Sequence, residues 1–385
     1  MLPIHPQPRP GEILSSWMVR LAFTNGFMLH TFYDKLLGYH TPIWSRDTDR
    51  DPPLQLLTLL ARHTGHSVAE LQTLTLLSHQ GQLFEKPVTG HWSWVRPVGV
   101  YHRERKRPGM QFCPLCLAQS PVTYYHLKWR LALYVICEHH QCMMEECCPS
   151  CHAPIAFHRH GIGRRKMVDD ESLRLCSHCH FDLASMSPHH YPWPDRPSWQ
   201  RLRHLIAAIE HDSWECGPRT PPCSLPFFIG VRALISVLSG RNGWQLRKHL
   251  GDALGVEIPW YPPGQHDEFE YQPPTARLIL LLAIAWLLED WPTRFLSLCT
   301  QAHFTRSRLA ERVEQLPFWL ASVADTHLDR RRYLPNAAET RSAGRYLQAH
   351  GLEVTPRALV NLLGLTPDCM QLVWKHWDRH NKALR

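Results

Sequence analysis

The chain has 385 residues, of which 44% are hydrophobic and 20% are charged. That balance is typical of folded globular proteins and argues against global disorder, a collagen-like chain and a coiled coil. Forty-two Lys and Arg residues against 34 Asp and Glu residues give a formal charge of +8, which favours a polyanionic partner. At roughly 150 residues per domain, the length predicts two or three domains.

The longest apolar run, residues 278–288, is shorter than the roughly 20 residues needed to cross a bilayer, so we expect a buried helix and no membrane association. The N-terminus lacks the basic and apolar pattern of a secretory signal, which predicts a cytoplasmic protein. In a reducing compartment the 13 cysteines favour metal binding over disulfides.

Residues 1–110 are predicted to form a helical N-terminal domain. Their proline-rich start, residues 3–10, cannot be helical and should lie across a surface. Apolar residues then recur at helical spacing in two short stretches on either side of Asn25-Gly26. Two short helices around such a turn predict a helix-turn-helix over residues 14–37. We expect this unit to contact protein, because neither helix has a visible basic face.

A second helix pair is predicted over residues 54–63 and 67–77. Gly65 separates the two helices, and Ser67 with Glu70 has the spacing of a capping box, in which each side chain accepts a hydrogen bond from the other residue's backbone N–H. The sequence therefore predicts where the second helix of this pair begins.

The middle block, residues 111–185, holds nine of the 13 cysteines and little helical periodicity, so metal should organise it. Two ligands three positions apart sit on one tight turn whose backbone N–H groups hydrogen-bond to the thiolates, and two such turns complete a tetrahedron. Four pairs have this spacing: Cys113 and Cys116, Cys137 and His140, Cys148 and Cys151, and Cys176 and Cys179.

We assign the first two pairs to one zinc ion and the last two to another, which predicts two zinc-ribbon modules and two Zn²⁺ per chain. Cys142, Cys147 and His139 stay open as alternative ligands. Buried thiols without metal would not explain four such pairs in one block. Catalytic zinc needs an open coordination position, and both predicted sites already have four protein ligands, so a structural role is favoured.

From residue 195 to 385 the helical pattern returns and predicts a C-terminal helical domain. The predicted helices cover residues 199–211, 227–238, 243–254, 275–289, 292–301 and 306–325. A last pair, over residues 356–377 and split at Gly364, predicts a third helix-turn-helix. Thr355 and Thr366 each precede a proline and are predicted to cap the two helices of this pair. The predicted fold class is thus mainly α.

Three basic clusters could bind nucleic acid or could simply be solvated, and we predict that the first two contact phosphates. The clusters are Arg103, Arg105, Lys106 and Arg107; then Arg164, Arg165 and Lys166; and then Arg330, Arg331 and Arg332. Near the first cluster, Trp92 and Trp94 could stack on bases, but core packing or a partner interface is favoured.

The last predicted helix could read DNA through its exposed side chains. Gln371, Lys375 and Arg379 are predicted to face outward as nucleic-acid contacts. The residues predicted to pack inward are Met370, Val373, Trp374 and Trp377.

Signatures of common enzyme classes are missing from the sequence. It has no GxxxxGK[ST], GxSxG or HExxH motif, and its scattered acidic residues form no convincing transposase triad. We therefore predict a protein that is not an enzyme and has no catalytic residue.

Several sequence segments together resemble the TniQ family. They are Pro8-Arg9-Pro10-Gly11-Glu12, Leu14-Ser15-Ser16-Trp17, Arg20-Leu21-Ala22, Asn25-Gly26, Phe112-Cys113-Pro114-Leu115-Cys116-Leu117, Trp129-Arg130, Cys137 to His140, and Cys148 to Ile155. The resemblance covers residues 1–185 well, and beyond them it rests on a helical C-terminal half loosely similar to that of the target selector TnsD. Glu138 and His152 replace a common proline and a common glycine, and neither change removes a ligand.

The resemblance implies a non-catalytic role in transposition. Members choose the target site, either by binding a DNA sequence or by riding on an RNA-guided Cascade complex, and pass the choice to an AAA+ ATPase that recruits the transposase. The compact length is similar to that of the Cascade-associated members. The resemblance to those members implies a head-to-tail homodimer that docks on Cascade near the guide RNA hairpin. The expected partners are a Cascade-type CRISPR effector with its guide RNA, the ATPase and a second copy. A sequence-specific selector of the TnsD type, which binds target DNA without guide RNA, is the alternative.

Overall fold

The computed structural model describes residues 1–43, 46–101, 104–105, 107–160, 173–211, 224–262, 268–310, 316–329 and 333–382. The chain forms two compact units, Met1–Leu328 and Asp329–Arg385. The predicted boundaries near residues 110 and 185–195 stay a prediction.

Helices make up most of the regular structure in the described part of the chain, as predicted. The first unit contains α1 Leu14–Thr24, α2 Leu29–Thr31, α3 Leu54–Thr64, α4 Val68–Thr73, α5 Pro114–Gln119, α6 Ser198–His211, α7 Ser224–Ser239, α8 Trp244–Leu254, α9 Pro274–Glu289, α10 Thr293–Gln301, α11 Arg306–Ala310 and α12 Phe318–Val323. The second unit contains α13 Ala337–Ala349, α14 Pro356–Leu362 and α15 Met370–Lys382. Two short strands, β1 Val100–Tyr101 and β2 Glu104–Arg105, pair antiparallel in the first unit. No helix in the described ranges is long and apolar enough to cross a membrane.

Helix α1 is buried on every side from Leu14 to Phe23. A buried arginine is tolerated in it because Arg20 Nη1 lies 2.5 Å from Glu12 Oε2. Ser16 Oγ donates to the other oxygen of Glu12 at 2.8 Å. Burial raises the pKa of Glu12, and Arg20 opposes that shift. Glu12, Ser16 and Arg20, which lie in three of the segments that resemble the TniQ family, thus form a buried polar network.

The proline-rich start is non-helical and lies against the first helices, as expected. Leu2 N donates to His63 O at 2.8 Å, and Trp17 Nε1 donates to Pro6 O at 2.8 Å. Asn25 Nδ2 donates to Ile4 O at 2.6 Å. The carbonyls of Ile4 and Pro6 are acceptors that a proline-rich segment, which lacks many N–H donors, can still offer.

Both N-terminal helix pairs form, but the helix predicted over residues 67–77 ends at Thr73 and is followed by a separate 3₁₀ helix, Leu76–His79. After α1, α2 runs directly into a π-helix, Phe32–Leu36. Between α3 and α4, Gly65 adopts φ 82°, a left-handed conformation that glycine reaches without steric cost. The Ser67–Glu70 capping box is confirmed, since Ser67 Oγ accepts from Glu70 N at 3.1 Å and Glu70 Oε2 accepts from Ser67 N at 2.7 Å.

Helix α9 contains the long apolar run and is buried, as predicted. Its Arg277 is fully buried and anchors the segment between the cysteine pairs. Arg277 Nη1 donates to Ala132 O at 2.7 Å and Nη2 donates to Gln111 Oε1 at 2.9 Å, while the guanidinium also pairs with Glu146. Burial lowers the pKa of Arg277 to about 9. These contacts fix the cysteine-rich block against the helical core.

The C-terminal helices of the first unit begin and end close to the predicted residues, with one exception. The single helix predicted over residues 306–325 is wrong, because α11 ends at Ala310 and residues 316–317 are not helical before α12. Pro317 is the N-cap of α12, consistent with the restriction that proline places on the residue before it.

In the second unit, α13 was not predicted, although Asn336 and Glu339 form a capping box at its start. Thr355 caps α14, as predicted, because its Oγ1 accepts from Ala358 N at 3.1 Å. The predicted cap by Thr366 is wrong, since its side chain makes no capping hydrogen bond to the 3₁₀ turn that precedes α15.

The inward face of α15 differs from the prediction at one residue. Val373 and Trp377 are buried and Met370 packs against the same core, but Trp374 is 37% exposed and therefore does not pack inward as predicted. Gly344 of α13 lies under the Trp377 ring, where any Cβ would overlap it.

Candidate metal centres

Three of the four predicted ligand pairs lie on turns built in the same way. In the pair Cys148 and Cys151, Cys148 N donates to Ala153 O at 3.0 Å and His152 N donates to Cys148 O at 2.9 Å. The pair at residues 137–140 and the pair at residues 176–179 repeat both bonds at distances from 2.8 to 2.9 Å. Each turn is therefore closed by its own backbone.

The residue that follows the second ligand has a left-handed backbone in all three turns. It is Gln141 at φ 51°, His152 at φ 55° and His180 at φ 64°. Such a conformation costs an L-residue roughly 1–2 kcal/mol, which is why glycine is common there. His152 replaces a glycine that is common in the TniQ family. Because this position has a left-handed backbone, glycine would adopt it without the steric cost that histidine bears.

The first ligand pair uses a helix instead. Cys113 is the N-cap of α5, with Pro114 at its first helical position, and Cys116 N points to Cys113 Sγ at 3.5 Å. A helix N-terminus stabilises negative charge, and a thiolate at the N-cap benefits from it. Two different local structures, a turn and a helix N-terminus, thus position the side chains of the four predicted pairs.

The first cluster brings together Cys113, Cys116, Cys137 and His140. His140 Nδ1 lies 3.5, 3.4 and 3.5 Å from the sulfur atoms of the three cysteines in that order, and the Cys116 and Cys137 sulfurs are 3.5 Å apart. With bonds of about 2.3 Å to sulfur and 2.0 Å to nitrogen, tetrahedral zinc would separate its ligands by about 3.5–3.8 Å. The spacing and the chemistry of the donor atoms therefore fit a zinc site.

Gln119 fixes the orientation of the histidine in this cluster. His140 Nε2 lies 2.8 Å from Gln119 Oε1, which can only accept, so the ring carries its proton on Nε2 and leaves Nδ1 free to bind metal. The sequence analysis missed Gln119. Its position at the end of α5, three residues after Cys116, is the signal that could have found it.

The second cluster brings together Cys148, Cys151, Cys176 and Cys179. The Cys148 and Cys179 sulfurs are 3.5 Å apart, and the Cys151 and Cys176 sulfurs are 3.6 Å apart. All ligand atoms within each cluster lie within 4.8 Å of one another. Among the residues that the structure describes, no third cluster of this kind occurs.

The three alternative ligands lie outside both clusters. Cys142 is the nearest, with its sulfur 3.5 Å from Cys113 Sγ, and it is fully buried. His139 is exposed, and Cys147 is half-buried beside the second cluster. Both clusters already contain four Cys or His donors, which is the composition of closed structural zinc sites.

The predicted nucleic-acid contacts are described only in part. Gln371 and Lys375 are exposed on α15, and Arg107 is half-buried with its guanidinium 5.2 Å from the Tyr271 ring centroid. Trp92 and Trp94 are 4% and 0% exposed, so base stacking by them is excluded and core packing is confirmed. The remaining predicted contacts, or their side chains, lie outside the described residues: Arg103, Arg105, Lys106, Arg164, Arg165, Lys166, Arg330, Arg331, Arg332 and Arg379.

Comparison with protein-family models gives one match, the TniQ family, over residues 3–144. The matched region contains α1, its buried polar network and all four residues of the first cluster, and it ends before Cys148. A search of curated proteins finds no match to the chain.

Proposed function

We propose that this chain, which belongs to the TniQ family through residues 3–144, is a non-catalytic adaptor in transposition target selection. It acts in the cytoplasm as a head-to-tail homodimer that links a Cascade-type CRISPR effector, with its guide RNA, to an AAA+ ATPase and the transposase. The observation that carries the proposal is the family match, which spans the first helix-turn-helix and the first metal cluster.

The use of the buried charged residues supports an adaptor. Glu12 and Arg20 pair with each other inside the first unit, and Arg277 bonds to Gln111 and Glu146. Charged groups that pair with one another inside the protein stabilise its fold. A partner would then be bound by exposed residues.

Both clusters fit structural Zn²⁺, which Cys113, Cys116, Cys137 and His140 would hold in one cluster and the four cysteines of the second in the other. Bound zinc supplies a fixed tetrahedral cross-link between turns that are distant in sequence. The backbone bonds that close the turns preorganise the thiolates, and Gln119 orients the histidine.

Co-purification tests the proposal. The full chain, tagged and co-expressed with Cascade and its guide RNA, should retain both the complex and the RNA through size-exclusion chromatography, and the adaptor should elute in twofold stoichiometry. Failure to retain Cascade under these conditions would refute the proposed link to an RNA-guided complex.

A DNA-binding selector of the TnsD type is the second candidate, favoured by the exposed basic residues of the second unit. Arg345, Arg357 and Lys375 are exposed and form no ion pair within the described part of that unit. A salt-dependent footprint on one duplex sequence, obtained without RNA, would support this function. Equal weak binding to all duplexes would exclude it.

A further inference from the structure

The first unit contains a cavity of about 530 Å³ that is separate from both metal clusters. Its walls come from residues 83–94, from one face of α7 and from Glu268, which immediately precedes the short 3₁₀ helix Phe269–Tyr271. Neither the family match nor the proposed function uses this cavity.

The floor of the cavity is apolar, and so is part of its rim. Leu83, Phe84 and Trp94 are 1%, 7% and 0% exposed and form the floor. Ile229 of α7 is 38% exposed although it lines the cavity. An apolar side chain seated here would cover Ile229 and gain free energy from the surface removed from water.

The one arginine in the wall has its charge compensated internally. Arg232 Nε and Nη2 donate to the two carboxylate oxygens of Glu270, each at 2.9 Å, and Nη1 donates to Ser236 Oγ at 2.8 Å. Glu270 is fully buried and also contacts His91 Nε2 at 2.9 Å. Arg232 is therefore held as part of the wall and is poorly placed to attract an anion.

Two carboxylates of the lining lack such compensation. Glu268 is half-buried, and its Oε2 is buried with no hydrogen-bond partner among the described residues. Glu85 is exposed and forms no ion pair among those residues. A carboxylate oxygen that is buried without a hydrogen-bond partner costs free energy, which an incoming cation would recover. The cavity is thus acidic within a chain of formal charge +8, so its sign does not follow from the overall composition.

We propose that this cavity binds a segment of a partner protein in which an arginine or lysine adjoins an apolar residue. The basic side chain pairs with Glu268 and Glu85, and the apolar side chain packs against Phe84 and Ile229. Complementary charge selects the partner, and the apolar contact distinguishes a protein segment from a free cation. The inference does not rest on the proposed function, since it requires no component of transposition.

Calorimetric titration of the full chain with a capped tripeptide, acetyl-Leu-Arg-Leu-amide, tests the proposal. The matched peptide carries citrulline in place of arginine, which keeps the shape and removes the charge. We expect the arginine peptide to bind at least tenfold more tightly than the citrulline peptide. Glu268→Gln should abolish that preference, whereas Glu257→Gln, a change at an exposed glutamate elsewhere in the first unit, should preserve it.

Two further variants separate the apolar contribution and guard against misfolding. Ile229→Ala should weaken both peptides by the same factor. Glu85→Gln, at an exposed position, should reduce the preference two- to threefold even if Glu268→Gln fails to fold. No measurable binding, equal binding of the two peptides, or displacement by spermidine without any effect of Ile229→Ala would overturn the proposal.

Discussion

Replacing His152 by glycine should stabilise the second metal cluster. His152 holds φ 55° directly after Cys151, and its side chain is exposed. A left-handed backbone costs an L-residue roughly 1–2 kcal/mol, and glycine avoids that cost. Glycine also adds freedom to the unfolded chain, which costs about 0.4–1 kcal/mol. The difference predicts a net gain of about 0.5–1 kcal/mol for His152→Gly.

Competition with a chelator for the metal of the second cluster measures this gain in free energy. The zinc-loaded chain is titrated with a chromophoric chelator, and the metal bound by the second cluster should resist removal two- to fivefold more strongly in His152→Gly, as expected for about 0.5–1 kcal/mol. Ser150→Gly is the matched control, since Ser150 is exposed in the same turn but has no left-handed backbone. That substitution should weaken retention. If the two variants behave alike, the strain argument for this turn is refuted.

The remaining predictions concern the first cluster, the metal itself and a buried carboxylate. Gln119→Leu should weaken zinc binding at the first cluster about 10- to 100-fold while the second cluster stays loaded, as read by elemental analysis after graded chelation. Cys148→Ser should reduce the stoichiometry from two zinc ions to one and unfold the surrounding block, measured by near-UV circular dichroism, because structural zinc contributes about 10 kcal/mol or more. Glu270→Gln should lower the free energy of unfolding by about 3–5 kcal/mol, since Arg232 would lose its buried partner. Arg232 and His91 hold the pKa of Glu270 well below its ordinary value of 4.5 against the opposing effect of burial. Its contribution is therefore complete above pH 4.5 and is lost as the pH falls toward the lowered pKa, so urea midpoints of parent and variant should converge in acid.

Most features that could be predicted from the sequence depend on residues only a few positions apart. Ser67 and Glu70 lie three residues apart, and that spacing alone locates the start of α4. The ligand pairs are equally local, because two donors three positions apart on a turn must point to the same side. The structure brings the pairs together in the predicted combination. The same kind of signal was overlooked at Asn336 and Glu339, which begin α13.

Contacts between distant residues could not be predicted in this way. Arg277 bonds to Ala132 O, which is 145 positions earlier in the chain, and no spacing rule connects them. Trp374 is an apolar residue at an apparently inward position, yet it is 37% exposed and lies outside the buried cluster of the second unit. Which apolar residue a helix leaves uncovered depends on the size of the partner surface, and a single sequence does not contain that information.

The segments that resemble the TniQ family include residues that are almost completely buried, and buried residues are poorly placed to contact a partner directly. Glu12 and Arg20 are almost completely buried, and the two clusters of Cys and His residues bring together turns that are distant in sequence. Such residues contribute to the folding of this region, whereas the partner contacts proposed above use exposed groups such as Ile229 and Lys375. Two chains could therefore share every buried element and bind different complexes. Substitutions at the exposed positions should change partner binding without loss of metal, whereas substitutions in the buried network should lower the free energy of unfolding.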